Sequence, residues 1–306
     1  MNRTSLIILA LTLLLAGIIT LIPGNPAQKI SNILPFLVVV LGIGPAGILS
    51  IRVFPAAEEQ IRDLFVFIWG IFTMWEISFT KLAVLDPFLF PAPERVFAVF
   101  LTDYQVMGQG IFQSLSIILL GYFIAALVAI PSGLLIGWRR RIYNLTYPIA
   151  KAISPVPPTV YMPYAIVLLP SFYASSVFVI FIGALWPILV GTVYGVHNID
   201  KRVINSARTL GLSDKDMMVK ILLPAALPNI FSGALISLIL SFVILTVAEM
   251  IGASSGLGWY IQYHSQFANY DRVIAGMILI VMVVIGVMKA FESVQAHSLR
   301  WQYHGE

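Results

Sequence analysis

The sequence predicts an all-α membrane protein, a polytopic bundle with about eight transmembrane helices. Three observations predict it. Hydrophobic residues make up 59% of the chain and charged residues 10%, against roughly 45–50% and about 25% in a soluble domain. Eight apolar stretches approach the ~20 residues that a helix needs to cross a hydrocarbon core. These stretches are too long for strands and lack two-residue alternation.

The composition also excludes several classes. Cysteine is absent, so no disulfide framework or thiolate metal site is available. The net charge of +4 comes from basic residues spread over short segments between apolar runs. That distribution serves membrane orientation rather than nucleic acid.

The first stretch, Ser5–Ile22, follows Arg3 as a signal peptide would. Pro23-Gly24-Asn25-Pro26 offers no A-x-A-like cleavage site, and a second span follows at once, so an uncleaved anchor is expected. Ile33–Ile51 and Leu64–Leu85 come next. The segment Asp86–Pro93 is too rich in proline to be helical, while Pro93 suits the first position of a short helix. Val96, Phe97, Phe100 and Leu101 recur on one face, as in a helix lying in the outer interface. Ile111–Trp138, Leu145–Leu169, Ser175–Val196, Asn229–Ile251 and Val273–Phe291 complete the set.

Two of these stretches carry unusual residues. Pro155, Pro157 and Pro158 lie within the fifth and cannot donate backbone hydrogen bonds. Bare carbonyls facing lipid are costly, so this break should face protein or a wet cavity. It is either a packed kink or a bend lining a route through the membrane, with Thr159, Tyr161 and Tyr164 nearby. Glu249 lies near the outer end of the seventh stretch, ahead of Gly252, Ser254, Ser255 and Gly258. A carboxylate at that depth faces the bundle interior or water, as a structural bond or as part of a gate. Pro157, Pro158, Thr159, Tyr161, Tyr164, Glu249, Ser254 and Ser255 are therefore the candidate pathway or gate residues. Glu76, in the third stretch, carries less functional weight. His197, His264, His297 and His304 have no metal-ligand spacing, and no Lys or Arg sits centrally in any stretch.

Placing both chain ends in the cytoplasm puts fourteen Lys and Arg inside, including Arg139, Arg140, Arg141, Lys201 and Arg208. Only four, Lys29, Lys81, Arg95 and Arg272, then fall outside, and the positive-inside rule selects this topology.

The longest charged segment, residues 198–228, reads as two short helices. Asp200 can N-cap the first and Gly211 can end it in the left-handed conformation. Ser213 can cap the second, with Asp216 three residues on in an approximate capping box. Pro224 and Pro228 mark the return into the membrane. Val203, Ile204, Ala207 and Leu210 form one apolar face, and Met217, Met218, Ile221 and Leu222 another.

The spacing Ala207-x3-Gly211-x9-Ile221-x-Leu223-Pro224 resembles the cytoplasmic "EAA" loop of ABC importer permeases, E-A-A-x3-G-x9-I-x-L-P. Asn205 and Ser206 stand where the family has Glu and Ala. The resemblance runs from about Leu85 to the C-terminus and is greatest to sulfonate, taurine, nitrate and bicarbonate permeases. Phe90-Pro-Ala-Pro, Gln113-Ser-Leu, Pro131-Ser-Gly, Ser154-Pro-Val-Pro-Pro, Ala248-Glu-Met-Ile-Gly and Arg300-Trp301 carry it further. Leu169-Pro-Ser-Phe-Tyr departs from the glycine-bearing outer loop usual there.

The resemblance implies a type I ABC importer permease fold, with extra helices over residues 1–62 and the permease core over 63–306. In that family the loop docks in a groove of the ATPase subunit, so Asn205, Ser206, Ala207, Leu210, Gly211, Ile221, Leu223 and Pro224 are the expected coupling residues. No phosphate loop G-x-x-x-x-G-K-[ST] occurs here, so the chain is expected to hold no cofactor, with ATP and Mg bound by a partner ATPase. The other implied partners are an external solute-binding protein, a second copy of the chain and membrane lipid, in the cell inner membrane. An ion-gradient-driven secondary carrier is the alternative, thinly supported by two intramembrane carboxylates and one proline break. A permease for a vitamin precursor such as a pyrimidine is another. A membrane-embedded enzyme lacks any nucleophile–base or metal motif.

Overall fold

A computed structural model describes residues 3–300. Trp301, His304 and the two chain ends, whose side of the membrane is an expectation above, lie outside the described residues. All regular structure among the described residues is helical. The chain divides into two compact units, Met1–Gly108 with Tyr260–Leu279, and Gln109–Trp259 with Ile280–Glu306.

In the first unit, α1 (Arg3–Leu21), α2 (Leu34–Val53) and α3 (Glu58–Trp75) pack around Leu15, Ile19, Phe36, Val40 and Trp69. A wide π turn, Glu76–Lys81, extends α3. The core is built from rings: Phe36 stacks on Phe97 at 5.2 Å, and Phe72 meets both edge-on. Phe97 belongs to α4 (Pro93–Thr102), where Val96, Phe97 and Val99 are buried and Leu101 is exposed. The expected interfacial helix is instead a packed one, because its aromatic residues complete a core that the first three helices leave open. Buried Gln28 donates to the carbonyls of Phe79 and Phe90 and accepts from the Ala92 amide. It thereby satisfies backbone groups of the proline-rich segment that no helix could.

The remaining helices are α5 (Tyr104–Trp138), α6 (Arg140–Ile153), α7 (Met162–Leu168), α8 (Phe172–His197), α9 (Lys201–Thr209), the single turn α10 (Asp214–Asp216), α11 (Leu223–Gly252), α12 (Leu257–Gln266) and α13 (Tyr270–Ser298). The second unit is organised on the pair α8 and α11. A Cβ on Gly233 would lie 2.5 Å from the Pro187 carbonyl oxygen, so the two backbones approach closely only because the residue there is glycine. Ser237 adds a hydroxyl bond to the Ala184 carbonyl at 3.0 Å.

Among the described residues, seven helices are long and apolar enough to cross a membrane. The fifth expected stretch is not one helix: α6 stops at Ile153, and a 3-10 turn, Pro158–Tyr161, leads into α7. Three prolines within four positions leave too few amides to carry the helical ladder through. The broken segment still runs the length of α8 in the opposite direction. At one end Tyr143 stacks on His197 at 3.9 Å, and at the other Ser175 donates to the Ala165 carbonyl at 3.0 Å. Pro158 sits against Gly183, midway along α8. The fifth expected stretch is thus made of two helical pieces that meet midway along α8.

Candidate functional site

Three places carry the candidate residues: the segment between α8 and α11, the broken fifth stretch, and the C-terminal end of α11.

The first begins as its sequence implies. Asp200 Oδ1 accepts from the Arg202 amide at 2.8 Å and opens α9. Gly211 ends it at φ 70°, its amide donating to the Arg208 carbonyl. Ser213 Oγ then accepts from the Asp216 amide at 3.2 Å and donates to Asp216 Oδ2 at 2.7 Å, so the reciprocal bond of the capping box runs hydroxyl to carboxylate. The expected second short helix does not exist as a separate piece. α10 continues through a π turn, Met217–Leu222, directly into α11, and residues 214–252 form one 39-residue helical run. The Leu223 amide reaches back to the Met218 carbonyl across that wider turn, just before Pro224 removes the next donor. Pro224 lies in the first turn of α11 and Pro228 within it, and neither ends the helix.

The two expected apolar faces also part company. Ala207 is buried, packed with Leu134, Val196, Met217, Leu222, Ala226 and Ile230. Met217 and Leu222 therefore face the protein's own interior, and Met218, Ile221 and Leu223 are half-buried beside them. Val203 and Leu210 stay exposed, Leu210 at 78%, with Asn205, Ser206 and Gly211 open next to them. The outward surface is consequently one short helix face and its glycine turn.

At the proline break, Tyr161 and Tyr164 wall an apolar cavity of about 410 Å³ with Ile153, Phe178, Ile182 and Trp186. A second cavity of about 370 Å³ follows on α8, lined by Tyr147, Ser154, Tyr194, Asn229 and Ser232. Positions 178, 182, 186, 190 and 194 stand four apart, so the two cavities form one strip along α8. Pro157 is exposed there, and Pro158 and Thr159 are half-buried. Trp186, Tyr194 and Asn229 escaped the sequence reading, because a polar or aromatic residue inside an apolar run shows no facing of its own.

Glu249 is elsewhere. Its carboxylate is buried, with Oε1 accepting from Ser114 Oγ at 2.6 Å and Oε2 from the Gly258 amide at 2.7 Å. Ser114 Oγ also accepts from the Leu257 amide. Gly256, at φ 123°, passes so close that a Cβ would lie 2.3 Å from Glu249 Oε1. Glu249 walls neither cavity. It staples the loop after α11 to α5, and Ser254 and Ser255 flank that staple without joining it. Ser114 could be glimpsed only as part of Gln113-Ser-Leu.

Residues 129–301 match the family model described as binding-protein-dependent transport system inner membrane component. A putative ABC transporter permease of Methanocaldococcus jannaschii is 29% identical over 236 residues, 75% of this chain and 88% of that protein. The nitrate import permease protein NrtB of Synechocystis is 34% identical over 60% of this chain and 64% of its own length. The taurine transport system permease protein TauC of Escherichia coli is 29% identical over 76% and 86%. Among solved structures, an inward-facing MetNI methionine ABC transporter superposes with a TM-score of 0.57 at 19% identity, covering 64% of this chain and 97% of that one.

Proposed function

This chain belongs to the family of binding-protein-dependent transport system inner membrane components, and from that premise we propose how its parts divide the work of an ABC importer permease. ATP and Mg bind a separate ATPase subunit, which docks on the exposed face of α9, Val203, Leu210 and the turn at Gly211. A solute-binding protein delivers cargo to the opposite side, and two copies of the chain enclose the route between them. Exposed Leu119, Phe123 and Leu127 of α5 meet lipid.

The route follows the strip on α8, and the observation that carries this is its lining. Among the mainly apolar residues of its lower part, Tyr147, Ser154, Tyr194 and Asn229 supply hydroxyl and amide groups, while Ser232 Oγ already donates to the Pro228 carbonyl. Such groups can donate to an anion without holding it as a fixed cation would. The nitrate and taurine permeases among the relatives support a small inorganic or organic anion, sulfonates and taurine foremost and bicarbonate within the same class. The ion pairs between elements support both ends being cytoplasmic. Arg139 pairs with Asp214 among residues assigned inside, while Arg95–Asp271 and Arg272–Asp103 join residues assigned outside.

Uptake of labelled taurine, nitrate and bicarbonate into vesicles, with and without the ATPase, tests the reading. Accumulation of one anion only with ATPase and ATP is expected. Uptake driven by an ion gradient in the ATPase's absence would sink it in favour of a secondary carrier.

A further inference from the structure

We infer that the elbow Trp138–Arg139, between α5 and α6, is a second mechanical output of the coupling segment, with Arg208 and Asp214 as the residues that drive it. This rests on the proposed docking of an ATPase at α9.

Two contacts define the elbow, one from each side of the Gly211 turn. The Arg208 guanidinium carbon stands 5.4 Å from the Trp138 ring centroid, holding the last turn of α9 to the last residue of α5. Beyond the glycine, Arg139 Nη2 donates to Asp214 Oδ2 at 2.9 Å, holding the same elbow to α10. The two halves of the coupling segment thus grip adjacent residues. Arg139 is extended, at φ −96° and ψ 101°, and is the single residue between α5 and α6. A rotation there swings α6 as one piece.

α6 leads to the proline break. It lies against the end of α8 through Tyr143 on His197, with Tyr147 stacked on Tyr143 at 4.9 Å. A push on α9 therefore reaches the break by way of the elbow, besides passing into α8 and α11, which the chain joins to the loop directly. The ion pair is solvent-exposed, with side-chain accessibilities of 55% and 71%, and exposed Arg208 lies over a half-buried Trp138. Exposed contacts of this kind add little to stability, so they steer motion more than they hold the fold.

The natural absence of cysteine gives a direct readout at the break. Val156 is 39% exposed there, and Val156→Cys can be labelled by a water-soluble maleimide in vesicles that hold the chain with its ATPase. ATP–Mg is expected to change the labelling rate. In the Arg208→Ala/Arg139→Ala double variant that ATP-dependent change should fall about threefold, with ATPase capture intact. Exchanging the pair as Arg139→Asp with Asp214→Arg should recover most of what Arg139→Ala alone removes. A merely structural role would shift labelling equally with and without ATP. A full ATP response in the double variant overturns the inference. So does no ATP response in the parent, or loss of ATPase capture in the variant, which would make these residues part of the docking surface. A parent that fails to capture the ATPase strikes the docking assignment beneath it.

Discussion

The two ends of the helical run over residues 214–252 are joined to loops that each turn on a glycine with positive φ, and the two loops are built in opposite ways. At Gly211 no atom of a neighbour lies within 4 Å of where a Cβ would stand. At Gly256 the same atom would collide with the Glu249 carboxylate. The first loop leaves Val203 and Leu210 exposed, and its polar bonds are local caps and the exposed Arg139–Asp214 ion pair. The second closes over a buried carboxylate whose two oxygens are both satisfied from within. An exposed apolar face, the proposed docking surface, is left open, whereas a loop closed over a buried carboxylate must complete its own hydrogen bonds, since a buried unsatisfied group costs ~1–3 kcal/mol.

The sharpest break of that comparison is at the seal. Gly256→Ala combines a backbone region kept for glycine with a collision, and should cost at least about 3 kcal/mol, read as loss of folded protein in detergent thermal unfolding. Glu249→Leu orphans the Ser114 hydroxyl and the Gly258 amide and should cost about 2–4 kcal/mol. Glu249→Gln keeps one acceptor and should cost roughly 1 kcal/mol. Equal losses for the Leu and Gln variants would show that volume, not hydrogen bonding, is what matters there.

A carboxyl in the first unit sharpens the contrast. Glu94 is fully buried, bonded to Thr80 through Oε2 while Oε1 has no donor. Burial first, and then the nearby Glu76 carboxylate, push its pKa up to about 7 against the pull of Thr80 and Lys81. A folded-state value above the unfolded one means that its contribution is full below the usual Glu range and lost as pH rises through about 7. The unfolding temperature should therefore fall as pH rises from 4.5 to about 7 and level off above it, and Glu94→Gln should flatten that slope. An unchanged slope would place the titration elsewhere.

At the open loop the stability effects are smaller and the functional ones larger. Gly211→Val meets no clash but strains the left-handed backbone, costing about 1–2 kcal/mol, and should uncouple ATP hydrolysis from uptake in reconstituted vesicles. Wild-type uptake would count against the coupling assignment. Asn205→Glu, which restores the family residue at an exposed site, should change stability by less than about 0.5 kcal/mol and tighten ATPase capture. No change in capture would show that the apolar face alone suffices.

What could be read from the sequence was local. The caps at Asp200 and Ser213, the stop at Gly211 and the break at Pro155–Pro158 depend on residues within a few positions of each other. Apolar run length likewise fixed the helical, membrane-spanning class, because a lipid core demands that backbone bonds close within each segment. Facing was not legible. Lipid is as apolar as a protein core, so nothing in Met217, Leu222, Val96 or Phe97 says which side is interior. Only the tertiary structure turned the second coupling face inward and made α10 and α11 one rod. It alone brought Ser114 to Glu249 across 135 residues and set Arg208 over Trp138. These depend on where helices meet, which is decided by close backbone approach such as that at Gly233 and Pro187, not by any pattern along the chain.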